Sequence, residues 1–251
     1  MSAGSPTEPA VVLEHVRKSY GDTPAVRDLT LTIPRGELFA FLGPNGAGKT
    51  TTIKLIVGLL QPDAGRVEVC GRAIGTNGVA AKAQLAYVPD QPFLYEKLTG
   101  REFLHFVAEM YGLSPARRER VLEPLLERLD IHPFLDQLTE SYSHGMKQRV
   151  VLAAALLHEP AVLVVDEPMV GLDPRTIRTV KELLREHTRR GGTVFMSTHT
   201  LDIAEAVADR VGIIHRGELI ALDTLDNLRL RARHSHSLED IFLTLTEHEN
   251  G

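Results

Sequence analysis

The stretch that most limits what this chain can become is "GELFAFLGPNGAGKTT", residues 36–51. A short apolar run passes into a loop that fits G-x-x-x-x-G-K-S/T, and the loop opens what reads as a helix from about Gly48 to Leu59. Gly43, Gly46 and Gly48 let the backbone curl so that its N–H groups face a β-phosphate. Lys49 is placed to neutralise β and γ oxygens, and the Thr50 hydroxyl to ligate magnesium. A strand–loop–helix unit of this kind needs a mainly parallel sheet with helices on both faces, so the expected fold is α/β with a P-loop nucleotide-binding core.

The rest of the chain is punctuated accordingly. "VVLEHV" and "VRDLTLTI" read as N-terminal strands, with "GRVEVCG" and "LAYVPD" following the first helix. From Gln91 to Thr139 the pattern turns helical, with Ser114-Pro115 placed as an N-cap and first-turn pair. Strands and helices then alternate through "AVLVVDE", "DPRTIRTVKELLREHTRR", "GTVFMSTH", "TLDIAEAVADR" and "RVGIIHRGELIAL". The expected organisation is a disordered tail over 1–10 and one domain over 11–251. Its core is formed by 11–90 and 146–251, with an N-terminal antiparallel β subdomain, and 91–145 is an inserted α-helical subdomain.

The net charge of −5 argues against a general nucleic-acid binder, which needs clustered Lys and Arg. The single cysteine, Cys70, cannot form an intramolecular disulfide and reads as a small buried hydrophobe closing a strand. "MSAGSPTEPA" lacks the basic start and apolar core of a signal peptide. The longest apolar run, Val150 to Leu157, is far short of a membrane span.

Three further runs carry chemistry. "AVLVVDE" ends a buried strand in two carboxylates, of which Asp166 would hold magnesium and Glu167 would polarise an attacking water. "FMSTHT" puts His199 at the end of the next strand, within reach of a γ-phosphate and that water. "YSHGMKQR" opens a helix with a serine and a glycine, a second anion-reading helix start in a chain that already has one. It has nothing to grip within one chain. If two chains pack head to tail, Ser143 and Gly145 of one can cap the γ-phosphate bound by the other. The histidines of "RHSHS", His234 and His236, have no spaced carboxylate or cysteine companions for a metal site.

In this order the runs resemble the ATP-binding subunit of ATP-binding cassette (ABC) transporters. "GPNGAGKTT" is similar to the family's phosphate loop, "YSHGMKQR" to its signature motif, "LVVDEP" to its magnesium strand, "VGLDP" to its dimer-contact loop and "STH" to its switch histidine. The resemblance implies ATP and Mg2+ as cofactors. It also implies an ATP-driven dimer with itself or a paralogous subunit, an integral membrane permease as partner, and no nucleic acid. Tyr20 and Val26 would meet the base, and Asn45, Gly46, Ala47, Gly48, Lys49, Thr50 and Thr51 the phosphates. Ser143, His144, Gly145 and Met146 would act in trans, and Asp173 at the dimer contact. "YEKLTGREFL" and the terminal "SLEDIFLTLT" look like the subfamily serving separate six-helix exporter permeases, which places the chain in the cytoplasm, peripheral to the inner face of the cell membrane. Two runs depart from the family pattern. The signature usually reads L-S-G-G-Q, and the loop that usually offers a glutamine to the metal reads "YVPDQP"; Asp90 in that position is shorter and charged, so metal contact there is expected to be water-mediated or absent, with Gln91 as the substitute. The run Phe93-Leu94-Tyr95 just beyond it fits neither helix nor strand, and is expected to face outward in part as a docking site for a permease helix.

Two-cassette relatives working on ribosomes or DNA, and small-molecule kinases or GTPases, are the other classes with such a loop. The chain has one cassette, an acidic balance and no N-K-x-D run for guanine.

Overall fold

The computed structural model describes residues 8–75 and 78–231. The terminal run "SLEDIFLTLT", His234 and His236 lie outside the described residues, as does the tail before residue 8. Ala10, the last residue of the expected tail, is buried, donates to the Ile33 carbonyl and accepts from the Cys70 amide.

Two sheets form. β1 (Val11–Tyr20), β2 (Thr23–Ile33), β4 (Ala64–Val69) and the two-residue β5 (Arg72–Ala73) make an antiparallel sheet ordered β2-β1-β4-β5. The second sheet is ordered β10-β9-β3-β8-β7-β6. It joins β3 (Leu38–Leu42), β6 (Leu85–Val88), β7 (Val162–Asp166), β8 (Thr193–Thr198) and β9 (Arg210–His215) in parallel, with β10 (Glu218–Thr224) antiparallel at one edge. The run "RVGIIHRGELIAL" is thus two strands, turned by Arg216 and Gly217 at φ +47° and +83°. Cys70 likewise differs from its expected place: it is half-buried, with φ +50°, in the turn between β4 and β5, and not a buried strand residue.

The central strands are apolar on both faces and so feed two cores. Phe39, Phe41, Val162, Val164 and Phe195 point to the side of the antiparallel sheet and α1 (Lys49–Ile56), where the three phenylalanine rings meet at centroid distances of 5.4–6.3 Å. Leu38, Ala40, Leu42, Leu163, Val165, Val194 and Met196 point to the other side. That second core is shared with α3 (Gly100–Met110), α4 (Pro115–Arg128), α5 (His144–Leu156) and α6 (Pro174–Arg189), so the helical insertion and the sheet have no separate interiors. The described residues also form the short α-helices α2 (Val79–Lys82), α7 (Leu201–Val207) and α8 (Leu225–Arg231), and 3-10 turns at His132–Phe134 and Thr139–Ser141. Among the described residues no helix is long and apolar enough to cross a membrane.

Local chemistry sets the helix starts of the insertion. Thr99 and Glu102 form a reciprocal capping box: the Glu102 amide donates to Thr99 Oγ1 at 3.2 Å, and the Thr99 amide donates to Glu102 Oε2 at 2.8 Å. Ser114 accepts from the Arg117 amide with Pro115 in the first turn. The start of α5 is held from behind by residues of its own run. Tyr142 is buried, donates its hydroxyl to the Phe134 carbonyl at 2.7 Å and accepts from the Gly100 amide at 3.2 Å. Arg149 donates to the Leu129 and Asp130 carbonyls at 3.1 and 3.0 Å, closing the end of α4, and lies over the Phe134 ring.

Candidate functional site

The C-terminal ends of β3, β7 and β8 meet at one sheet edge, the place where open parallel sheets bind ligands. From β3 the chain enters the loop Gly43–Gly48, and Gly48 caps α1 with φ +110°. A Cβ there would lie 2.4 Å from the Ala25 carbonyl oxygen, so only glycine fits both the dihedral and the space. No side chain caps α1, which leaves its first amides to an incoming anion. Lys49 is buried and donates to the Gly43 and Pro44 carbonyls at 2.7 and 3.3 Å. Burial pulls its ammonium below the ordinary lysine range, and the carboxylates of Glu167 and Asp166 pull in the opposite direction.

Asp166 ends β7 and is only 2% exposed. It accepts from Thr50 Oγ1 at 3.3 Å and from the Ser197 hydroxyl. Burial raises its pKa above the usual carboxylate range, and the nearby charge of Asp90 adds to that shift. The Glu167 amide donates to the Ser197 carbonyl at 3.1 Å, and at φ +48° the chain then turns out of the sheet. A left-handed residue with a side chain costs about 1–3 kcal/mol, a strain found where a carboxylate must be aimed. The Glu167 carboxylate meets His199 Nδ1 at 2.8 Å. Lys49, Thr50, Asp166, Glu167 and His199 are therefore brought together as a group.

The remaining expected residues are placed as follows. Asn45 and Gly46 are exposed at the loop tip, Ala47 is buried and Thr51 half-buried. Tyr20 is 51% exposed at the end of β1, whereas Val26 is buried in the core between the sheets. Asp90 and Gln91 are exposed just beyond β6. Ser143 caps α5, accepting from the Met146 amide at 3.3 Å, and both Ser143 and His144 are exposed. Gly145 and Met146 are half-buried in the first turn of α5. Asp173 caps α6, accepting from the Arg175 and Thr176 amides at 3.0 Å each. Of the run after Asp90, Phe93 is 74% exposed but Leu94 only 3%. Phe93, Tyr95 and Phe106 form an exposed chain of edge-on rings, 5.8 and 5.7 Å apart, so the outward surface excludes Leu94 and gains Phe106 from α3.

Two further residues at the site lie inside quoted runs, Ser197 in "STH" and Tyr87 in "YVPDQP", but had no role assigned to them. Ser197 sits opposite Asp166 in the parallel register of β7 and β8. Tyr87 of β6 has its hydroxyl pKa pushed up to about 12, by burial first and then by the charges of Asp166 and Asp90. The sequence signal for each was its place in a run already singled out, two residues before His199 and three before Asp90. Among the described residues no three His, Cys, Asp or Glu side chains gather into a metal cluster. The donors available at the loop are the hard oxygens of Thr50 and Asp166, a set suited to an ion that keeps several waters and takes the rest of its shell from phosphate, as Mg2+ does.

Residues 26–170 match the family profile described as ABC transporter. The chain is 37% identical over 233 residues to the ABC-type transporter ATP-binding protein EcsA of Bacillus subtilis (strain 168), covering 92% of this chain and 94% of that protein. It is 38% identical over 215 residues to the linearmycin resistance ATP-binding protein LnrL of the same organism, covering 86% of this chain and 69% of that protein. A solved structure of the ATP binding subunit of an ABC transporter superposes with a TM-score of 0.90 at 37% identity, covering 94% of this chain and 99% of that one. With its phosphate loop, carboxylate pair and signature helix in one fold, the chain belongs to the ABC transporter family as an ATP-binding, ATP-hydrolysing subunit.

Proposed function

We propose that this subunit drives an exporter: two copies, or one copy and a paralogue, close head to tail on ATP and so power a separate membrane permease. In each composite site the phosphate loop of one chain holds the nucleotide, with Lys49 on the β and γ oxygens, while Ser143 and Gly145 of the other chain cap the γ-phosphate. Asp173 stands at the contact between the chains, and Tyr20 stacks on the base. Thr50 and Asp166 would hold Mg2+, with Asp90 or Gln91 reaching it through water. When bound, the ion supplies charge to the phosphate oxygens.

Hydrolysis forms a bond from water oxygen to the γ-phosphorus and breaks the bond to ADP. Glu167 orients that water and takes its proton. Because an ionised carboxylate only accepts, the contact between His199 and Glu167 requires the proton on Nδ1. Neutral His199 then offers Nε2 as an acceptor, which suits the attacking water; contact with an anionic γ oxygen requires a doubly protonated ring or a turn about χ2.

The observation that supports this reading is the exposed start of α5, capped by Ser143 and held from behind by Tyr142, with an exposed serine and a half-buried glycine there, as a partner's phosphate would need. Phe93, Tyr95 and Phe106 suit a permease helix, since an exposed aromatic patch rimmed by polar residues is what an amphipathic segment needs. Export is supported by relatives named for linearmycin resistance and for daunorubicin resistance. The decisive experiment mixes Lys49→Ala chains with Ser143→Arg chains. Each is inactive alone, and together they form one intact composite site, so ATP hydrolysis returns in part. A mixture that stays inactive under conditions where ATP dimerises the chains would sink the trans arrangement.

A further inference from the structure

The start of α5 and the loop ahead of α6 are packed directly on one another within a single chain. Gly171 takes φ +74°, and a Cβ at that position would lie 2.7 Å from His144 Cδ2. A Cβ on Gly145 would in turn lie 3.3 Å from the Gly171 carbonyl oxygen and 3.6 Å from a Leu172 methyl. The His144 ring is therefore seated on bare backbone that nothing larger than glycine could provide. That backbone is close to the catalytic carboxylate. The Val170 amide donates to the Glu167 carbonyl at 3.2 Å and the Leu172 amide to the Met169 carbonyl at 3.4 Å, so residues 167–172 are wound into consecutive tight turns. Beyond them Asp173 fastens the loop to α6, and Met169 is buried in the core. Behind α5, Tyr142 and Arg149 fasten its start to the helical insertion. A cleft of about 480 Å3 opens beside the contact, walled by Asp90, Gln91, Tyr142, His144, Lys147 and Val170. His144 thus stands where the metal-side loop, the signature and the loop after Glu167 converge.

We infer that His144 is a positioning residue that couples the two composite sites of the dimer. The inference rests on the trans arrangement proposed above. The α5 start serves the partner's nucleotide, and Glu167 serves its own, with only the turns 167–170 and the ring on Gly171 between them. A shift of Ser143 and Gly145 towards the partner's γ-phosphate moves the His144 ring, and the ring moves the backbone that carries Glu167. Coupling of this kind is a free energy linking two sites and is carried by a contact with discrete arrangements, not by distance alone.

The test follows ATP hydrolysis by the full-length dimer against ATP concentration. The wild-type chain is expected to show a Hill coefficient above 1, and His144→Gly to bring it to about 1, since independent sites give no cooperativity. His144→Phe keeps a planar ring without charge or hydrogen bonds and is expected to retain the wild-type coefficient. Gly171→Ala puts a methyl into the ring and should lower turnover about tenfold, with His144→Gly added to it restoring roughly threefold, a non-additivity expected of residues in contact. A wild-type coefficient of 1, an unchanged coefficient in His144→Gly, or strictly additive effects in the double variant would each overturn the coupling. So would loss of the ATP dimer by His144→Gly in a Glu167→Gln background, because His144 would then be a dimer contact. Failure of the trans arrangement shows separately, in a Lys49→Ala and Ser143→Arg mixture that stays inactive.

Discussion

Two helices of this molecule begin where the proposed function places a phosphate, and they are built in opposite ways. The start of α1 is sunk in the fold: Gly48 is wedged against the Ala25 carbonyl, Lys49 is buried, and the Gly217 amide donates to the Ala47 carbonyl at 2.9 Å. It has no side-chain cap, so its amides are committed to a ligand. The start of α5 is exposed and already capped by its own serine, which takes the Met146 amide. One start is completed by the chain that contains it. The other is held in place from behind and exposed in front, as the proposed half-site requires. The helix dipole is common to both, so what distinguishes them is burial and capping.

The largest effects should separate the buried start from everything else. Lys49→Ala removes the only cation folded into the loop and is expected to abolish ATP hydrolysis in a phosphate-release assay. Glu167→Gln should retain ATP binding but hydrolyse it at least about a hundredfold more slowly. Near-normal turnover in Glu167→Gln would leave the His199–Glu167 pair without its assigned role.

Asp166→Asn should lose hydrolysis as severely but gain stability, which marks the carboxylate as kept for function. The sign follows from burial. The folded state raises the Asp166 pKa, so its charged form costs stability above the ordinary carboxylate pKa, and that cost disappears as pH falls into the carboxylate range. In nucleotide-free, magnesium-free buffer, differential scanning calorimetry should find Asp166→Asn melting higher than wild type at pH 7, with the gap closing towards pH 4. A lower melting point at pH 7 would mean that the Thr50 and Ser197 hydrogen bonds outweigh burial.

Asp90 is the exposed counterpart of Asp166, and its loss should matter less. Asp90→Ala is expected to slow hydrolysis only a few-fold, as for a water-mediated contact worth about 1 kcal/mol. Equal collapse of Asp90→Ala and Asp166→Ala in the same assay would make Asp90 a direct ligand. The smallest effect on basal hydrolysis belongs to the aromatic surface. Phe93→Ala and Tyr95→Ala should leave it nearly intact while weakening co-purification with the permease. Leu94→Ala, one residue away, should instead destabilise the fold by about 2–5 kcal/mol in urea, because its side chain lies in the core. Reversal of that pattern would move the docking surface elsewhere.

Much of the site was readable because it is local. The glycines of the phosphate loop, Lys49 and Thr50 lie within eight consecutive positions, and a strand ending in Asp166-Glu167 declares itself by a run of apolar residues before two carboxylates. The Ser114-Pro115 start is likewise local, fixed by a hydrogen bond spanning three residues. The sequence by itself therefore determined the α/β core, the nucleotide loop, the paired carboxylates and the beginnings of the helices.

Tertiary structure alone decided the rest. Ser197 became a partner of Asp166 because β7 and β8 lie side by side in parallel with those two residues in register, although they are 31 positions apart. Tyr87 joined them because β6 lies beside β7. Only packing separated buried Leu94 from exposed Phe93 and Tyr95, turned Tyr142 and Arg149 from signature residues into anchors, and set the His144 ring on Gly171. Periodicity reports which face of an element is apolar, whereas strand order and the seating of one loop on another depend on the burial of the whole sheet, which no short run of residues encodes.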